Sequence, residues 1–165
     1  MAISKDRVHQ IKLLQENLQT IRKLIGWTID DLGEKIGVSK QTISNLENAN
    51  TKMSLTQYIA IRAVLDYEVQ EHPENDVLPK AIHLLLDEEN NISQEEYMQV
   101  KEAIATVAVA ASGGADKSMV SKLFTGMIGP VAVGAGIGLF TPLGIVGGIA
   151  STGWLKSMLD NGKDT

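Results

Sequence analysis

Apolar side chains recur along the first third of this chain at the three- and four-residue spacing of a helical face. Ile11, Leu14, Leu18, Ile21 and Ile25 follow one another at steps of 3, 4, 3 and 4, which predicts a helix over residues 4–25 with one buried stripe. The stripe is too short for a coiled coil, and Gly26 stops it. Thr28 is placed to cap a second, short helix with Asp30 and Asp31 in its first turn, where the helix dipole favours negative charge. That helix ends near Ile36, because Gly37 can take the left-handed conformation. Ser39 caps a third helix through about Asn48. Ser54 caps a fourth that carries Leu55, Tyr58, Ile59, Ala60, Ile61, Val64 and Leu65.

Residues 68–79 are acidic, hold two prolines and read as a linker. Pro79 suits the first turn of a helix that runs through Leu84, Leu85 and Leu86 to about Glu89, with Asn90 and Asn91 breaking it. Ser93 and Glu96 form a capping box, flanked by Ile92 and Tyr97 at the hydrophobic-staple positions, so the next helix starts at Gln94. Tyr97, Val100, Ile104, Val107 and Ala111 again repeat at helical spacing. Between Ala103 and Ala111 only Thr106 is polar, which predicts cover on all sides. No strand pattern of comparable strength occurs, and the predicted fold is all-α. The expected organisation is a helical domain at 1–67, the linker at 68–79, amphipathic helices at 80–112 and a glycine-rich apolar segment at 113–165.

The spacing of the second and third helices can be tested against a helix-turn-helix. With Ile29 as the first position of a twenty-residue frame, the fifth must be small where the helices cross, and is Gly33. The ninth needs a positive φ in the tight turn, and is Gly37. Five positions must be apolar to hold the helices together, and they are Leu32, Ile36, Val38, Ile43 and Leu46. Any helical hairpin would share the apolar positions, so the two glycines carry most of the specificity.

Residues 18–67 resemble the phage-repressor and Cro type of helix-turn-helix domain, the XRE-like family. The likeness is carried by Ile21-Arg22-Lys23, by the frame from Leu32 to Ser39, and by Thr42-Ile43-Ser44-Asn45-Leu46-Glu47-Asn48. It implies a pair between Arg22 in the first helix and Glu47 at the end of the recognition helix. It also implies that the third helix enters the major groove of double-stranded DNA. Lys40, Gln41, Ser44 and Asn45 are then the base-reading candidates, since Gln and Asn can read adenine, Lys can reach guanine, and Ser is permissive. Thr28, Ser39 and Thr42 near helix N-termini, with Asn48, Asn50, Thr51 and Lys52 in the following loop, are the phosphate candidates. The chain departs from the family at Ala49, where glycine is common, which puts the backbone of that loop in question.

Composition adjusts this reading. The 165 residues carry 15 basic and 20 acidic groups, but unevenly: residues 1–68 sum to +1, 69–105 to −7 and 106–165 to +1. A nearly neutral DNA-binding region predicts weak binding by one copy, because affinity leans on phosphate neutralisation. A homo-dimer or higher oligomer on adjacent half-sites would supply the remainder. The absence of cysteine excludes a disulfide scaffold, a thiolate metal site and a Cys nucleophile. The three histidines lie far apart, which predicts no metal site. No nucleophile, base and orienting group assemble, so neither an enzyme, a cofactor nor a small-molecule substrate is expected. The opening residues lack the apolar core of a secretory signal, and a cytoplasmic protein is expected. Ser112-Gly113-Gly114-Ala115-Asp116-Lys117-Ser118 has the outline of a phosphate loop but lacks glycine before the lysine, and reads as a helix-breaking turn.

Residues 123–155 contain no charge and nine glycines. Their length suffices for one bilayer span, with 131–154 the natural candidate and Trp154 and Lys156 at an interface. The pairs Gly134/Gly138 and Gly144/Gly148 would allow close helix contact, whereas Pro130 and Pro142 interrupt any long helix. Membrane contact, a hairpin broken near Thr141 and Pro142, a soluble self-association core and a flexible tail all remain open at this level. The expected function is sequence-specific DNA binding by a repressor-like transcriptional regulator acting as a dimer or oligomer, whose C-terminal helices join protomers or tether them to a membrane. The alternative is a membrane-active or scaffolding protein whose helix-turn-helix contacts protein.

Overall fold

A computed structural model describes residues 4–87, 89–134 and 154–155, and its secondary structure there is entirely helical. Helix α1 spans Lys5–Ile25, with the Ser4 hydroxyl accepting from the Arg7 N–H and Gly26 closing the helix at φ +86°. Helices α2 (Ile29–Ile36), α3 (Lys40–Glu47) and α4 (Leu55–Glu71) begin at the serine and threonine caps read from the sequence. Helix α4 runs into the acidic stretch, and α5 (Val77–Ile82) starts before Pro79, so only residues 72–76 lie between helices. The Asn75 carboxamide explains the early start, accepting from the N–H groups of Val77 and Leu78.

Beyond α5 the expected single helix to Glu89 is not formed. The chain widens into a π-helical turn at His83–Asp87 and tightens into a 3-10 turn at Glu89–Asn91, so the two asparagines belong to a turn of helix and do not end one. Leu84 and Leu85 are both fully buried, and the Leu85 carbonyl accepts from the Tyr97 hydroxyl at 3.1 Å. Helix α6 (Gln94–Ser112) starts at the predicted residue with its capping box formed. The expected cover on all sides of its second half does not hold, since Val109 is 64% exposed. α6 is held on only part of its circumference, by α1 and by α7 (Lys117–Gly134). Gly114, at φ +92°, turns the chain between α6 and α7. Pro130 lies inside α7, where it forfeits its own N–H bond to the preceding turn without ending the helix.

One apolar cluster joins all seven α-helices. Ile11, Leu14, Leu18 and Ile21 of α1 lie in it with Ile43 and Leu46 of α3, Ile61 and Leu65 of α4, Val100, Ile104 and Val107 of α6, and Phe124 and Ile128 of α7. Helix α1 is the axis of this arrangement. His9 meets Glu89, Asn17 donates to the Tyr97 hydroxyl at 3.2 Å, and Leu24 and Ile25 line a cleft with Ala111, so α1 and α6 lie side by side in the same sense.

No helix among the described residues is long and apolar enough to cross a membrane. The candidate span 131–154 falls almost wholly outside the described residues, as do the Gly144/Gly148 pair, Gly138 and the break at Thr141 and Pro142. Trp154 itself does not sit where an interfacial anchor was expected. It packs edge-on against Tyr58 of α4, with centroids 5.9 Å apart, under the Arg62 guanidinium, and its indole N–H donates to Asp66.

Candidate nucleic-acid interface

The turn between α2 and α3 depends on its two glycines. A Cβ on Gly33 would stand 2.8 Å from the Val38 carbonyl oxygen, which belongs to backbone and cannot swing aside. Gly37 takes φ +73°, and the Val38 N–H returns to the Gly33 carbonyl at 2.9 Å. Leu32, Ile43 and Leu46 are buried, with Ile36 and Val38 packed against the same core. The recognition helix is thereby held by its inner face.

Its far end is fixed by Arg22 and Glu47. Arg22 Nη2 donates to Glu47 Oε2 at 2.9 Å while Nε donates to the other carboxylate oxygen, and Nη1 reaches the Trp27 carbonyl at 2.7 Å. Both side chains are almost wholly buried. A planar guanidinium matches a carboxylate in this two-bond fashion, which fixes orientation as well as charge.

The outer face of α3 presents Lys40 and Gln41 exposed, with Ser44 and Asn45 half-buried. These groups are engaged with neighbours. Gln41 Nε2 donates to Asn45 Oδ1 at 3.0 Å, Asn48 Nδ2 donates to the Ser44 carbonyl at 2.9 Å, and Lys40 Nζ pairs with Asp30 at 3.0 Å. The phosphate candidates divide into two groups. Asn48, Asn50, Thr51 and Lys52 are exposed together on the loop after α3. Ser39 and Thr42 stand at the N-terminus of α3, where the Ser39 hydroxyl accepts from the Thr42 N–H at 3.2 Å. Thr28 is different. Its N–H donates to the Asp31 carboxylate at 2.7 Å, so the start of α2 already holds an anion of its own. That bond, with a second one involving the Thr28 hydroxyl and the charge of Lys35, holds the Asp31 carboxyl below its ordinary range.

Ala49, at the position where the family often has glycine, takes a left-handed backbone at φ +55°, the region that favours glycine. Sequence reasoning missed Gln15 of α1, whose side chain bonds to three backbone groups of this loop. It also missed the buried Arg62, paired with Asp87 at 3.1 Å. Among the described residues no group of His, Asp or Glu is arranged to hold a metal ion.

A short helix pair crossing at a glycine, with the second helix seated by its inner face and polar outside, defines a helix-turn-helix reading head. The helix-turn-helix family profile matches residues 18–72. The chain is similar to antitoxin HipB of Escherichia coli strain K12, 31% identical over 64 residues, which cover 39% of this chain and 73% of that protein. It is also similar to antitoxin HipB of Escherichia coli O6:H1 strain CFT073, 29% identical over 79 residues, 48% of this chain and 84% of that one. No solved structure matches. The chain belongs to the helix-turn-helix family, of the XRE type, and is a DNA-binding transcriptional regulator.

Proposed function

We propose that this protein is a sequence-specific, repressor-like regulator that reads double-stranded DNA as a dimer or higher oligomer in the cytoplasm. The observation that carries the reading is the recognition helix: α3 is fixed by a buried Arg22–Glu47 pair and turns four polar side chains outward. In this reading Lys40, Gln41, Ser44 and Asn45 meet base edges, while Ser39, Thr42, Asn48, Asn50, Thr51 and Lys52 meet phosphates. Thr28 contributes through its helix terminus only if the Asp31 carboxylate yields. The Gln41–Asn45 and Lys40–Asp30 contacts are exchanged for DNA contacts on binding, which lowers net affinity and makes a second copy more valuable. The region that joins copies is C-terminal. Met119, Leu123 and Met127 recur every four residues on α7 and are exposed, and Gly126 has open space where a Cβ would stand.

Selection of bound duplexes from a random pool by the full chain tests the reading. One sequence class should emerge, and Gln41→Ala should weaken it by about 1–3 kcal/mol and relax preference at one position. Sedimentation at rising concentration should show self-association over the same range as DNA binding. Failure to enrich any sequence would favour a helix-turn-helix that contacts protein.

A further inference from the structure

Gln15 lies on α1, outside the helix-turn-helix frame, and its carboxamide is fully committed to the loop after the recognition helix. Nε2 donates to the Leu46 carbonyl at 2.9 Å and to the Thr51 carbonyl at 2.7 Å, and Oε1 accepts from the Met53 N–H at 2.9 Å. A primary amide has two N–H donors and a carbonyl oxygen that accepts, and all three are used on backbone between residues 46 and 53. These partners bracket Asn50, Thr51 and Lys52, whose side chains are exposed. The first half of the loop is tied to α3, since the Asn50 and Thr51 N–H groups both return to the Asn45 carbonyl, at 2.9 and 3.4 Å. Gln15 ties the second half to α1.

Resting on the DNA-binding reading above, we infer that Gln15 is a positioning residue for the phosphate contacts of that loop. It does not touch DNA. It orders residues 50–52 at a fixed offset from α3 before DNA arrives, so that the contacts need not order the loop on binding. The base-reading face does not need it, because Ile43 and Leu46 seat α3 in the core independently. Thr51 is exposed, so its carbonyl can turn to water when Gln15 is lost, and the Leu46 carbonyl keeps the Ala49 N–H at 3.2 Å. The N–H of the buried Met53 loses its Gln15 partner, so a Gln15 variant should also melt somewhat lower. Phosphate and base contacts therefore rest on different side chains: Gln15 for the loop, and the core with the Arg22–Glu47 pair for α3.

The test uses the full chain with Gln15→Met, which keeps the length of the side chain and removes all three hydrogen bonds. In free protein, amide exchange at Met53 should quicken while amides of α3 keep their protection. On the duplex selected by the wild-type chain, affinity should fall on the order of tenfold. The ranking of sequence variants should be unchanged, and the salt slope should flatten by about one. Lys52→Ala should flatten it similarly, and adding Gln15→Met to Lys52→Ala should flatten it less than additively, as expected of residues acting through one contact. General destabilisation would instead lower the active fraction and leave the slope unchanged, which overturns the inference. So does unchanged Met53 exchange together with an unchanged slope. If the wild-type chain itself shows no salt-dependent DNA binding, the DNA-binding reading falls, and the positioning role falls with it.

Discussion

Ala49 occupies a conformation that L-residues avoid, at φ +55°, directly after the recognition helix. A Cβ there costs about 1–2 kcal/mol, and glycine would return part of that as unfolded-chain entropy. Ala49→Gly should therefore stabilise the fold by about 0.5–1 kcal/mol, read as a higher denaturant midpoint with unchanged slope. Arg22 and Glu47 pose the opposite problem, a charge pair almost without solvent. Arg22→Met leaves the Glu47 carboxylate buried and unpaired, and should cost about 3–5 kcal/mol. Replacing both, Arg22→Met with Glu47→Leu, should recover a large part of that loss in thermal melts. What the double variant should not recover is the orientation of α3, so its DNA selectivity stays impaired even as its melting improves.

At the scale of elements, the α2–α3 crossing allows no side chain at its centre. Gly33→Leu must move the Val38 carbonyl and should cost about 1–3 kcal/mol. Gly37→Val places a β-branched residue at φ +73° and should cost a similar amount, about 1–3 kcal/mol. Unchanged melting of either variant would contradict this packing. These elements were legible in the sequence because their determinants are local: a cap, a glycine at a fixed offset, an apolar residue every third or fourth position. The resemblance then supplied the Arg22–Glu47 pair. The start of α5 and the turn after it were not legible, because Asn75 bonds the first N–H groups of α5 from outside the helix, and the buried Leu84 and Leu85 of the π turn pack beside α1 and α6, which lie elsewhere in the sequence. Gln15 and Trp154 left no periodic trace for a similar reason. Their partners lie 31–38 and 88 residues away respectively in sequence.

In the whole molecule the reading head is continuous with the C-terminal helices. Trp154 and Asp87 both reach α4, on Asp66 and Arg62. Burial lifts the Asp66 carboxyl above its ordinary value of 3.8, opposed by the Trp154 hydrogen bond and by Arg62. Because the folded form holds that proton more tightly, the associated stability is complete below about pH 3.8 and is lost as pH rises through the lifted value. Asp66→Asn should flatten the stability profile between the ordinary carboxylate range and neutrality, measured by denaturant titration at stepped pH. The capping carboxylates Asp31 and Glu96 shift the other way, so their contribution is lost only in acid, as pH falls through their lowered values. The side-by-side arrangement of α1 and α6 has a further consequence during synthesis. Helix α1 is made first, yet part of its apolar surface is covered by a helix that ends at Ser112, about 40 residues after α4 is finished. At roughly 5–20 residues per second on the ribosome, that surface waits about 2–8 s for its cover. A nascent chain in that interval is a ready client for chaperones, and a messenger truncated before α6 would yield a reading head with a sticky back.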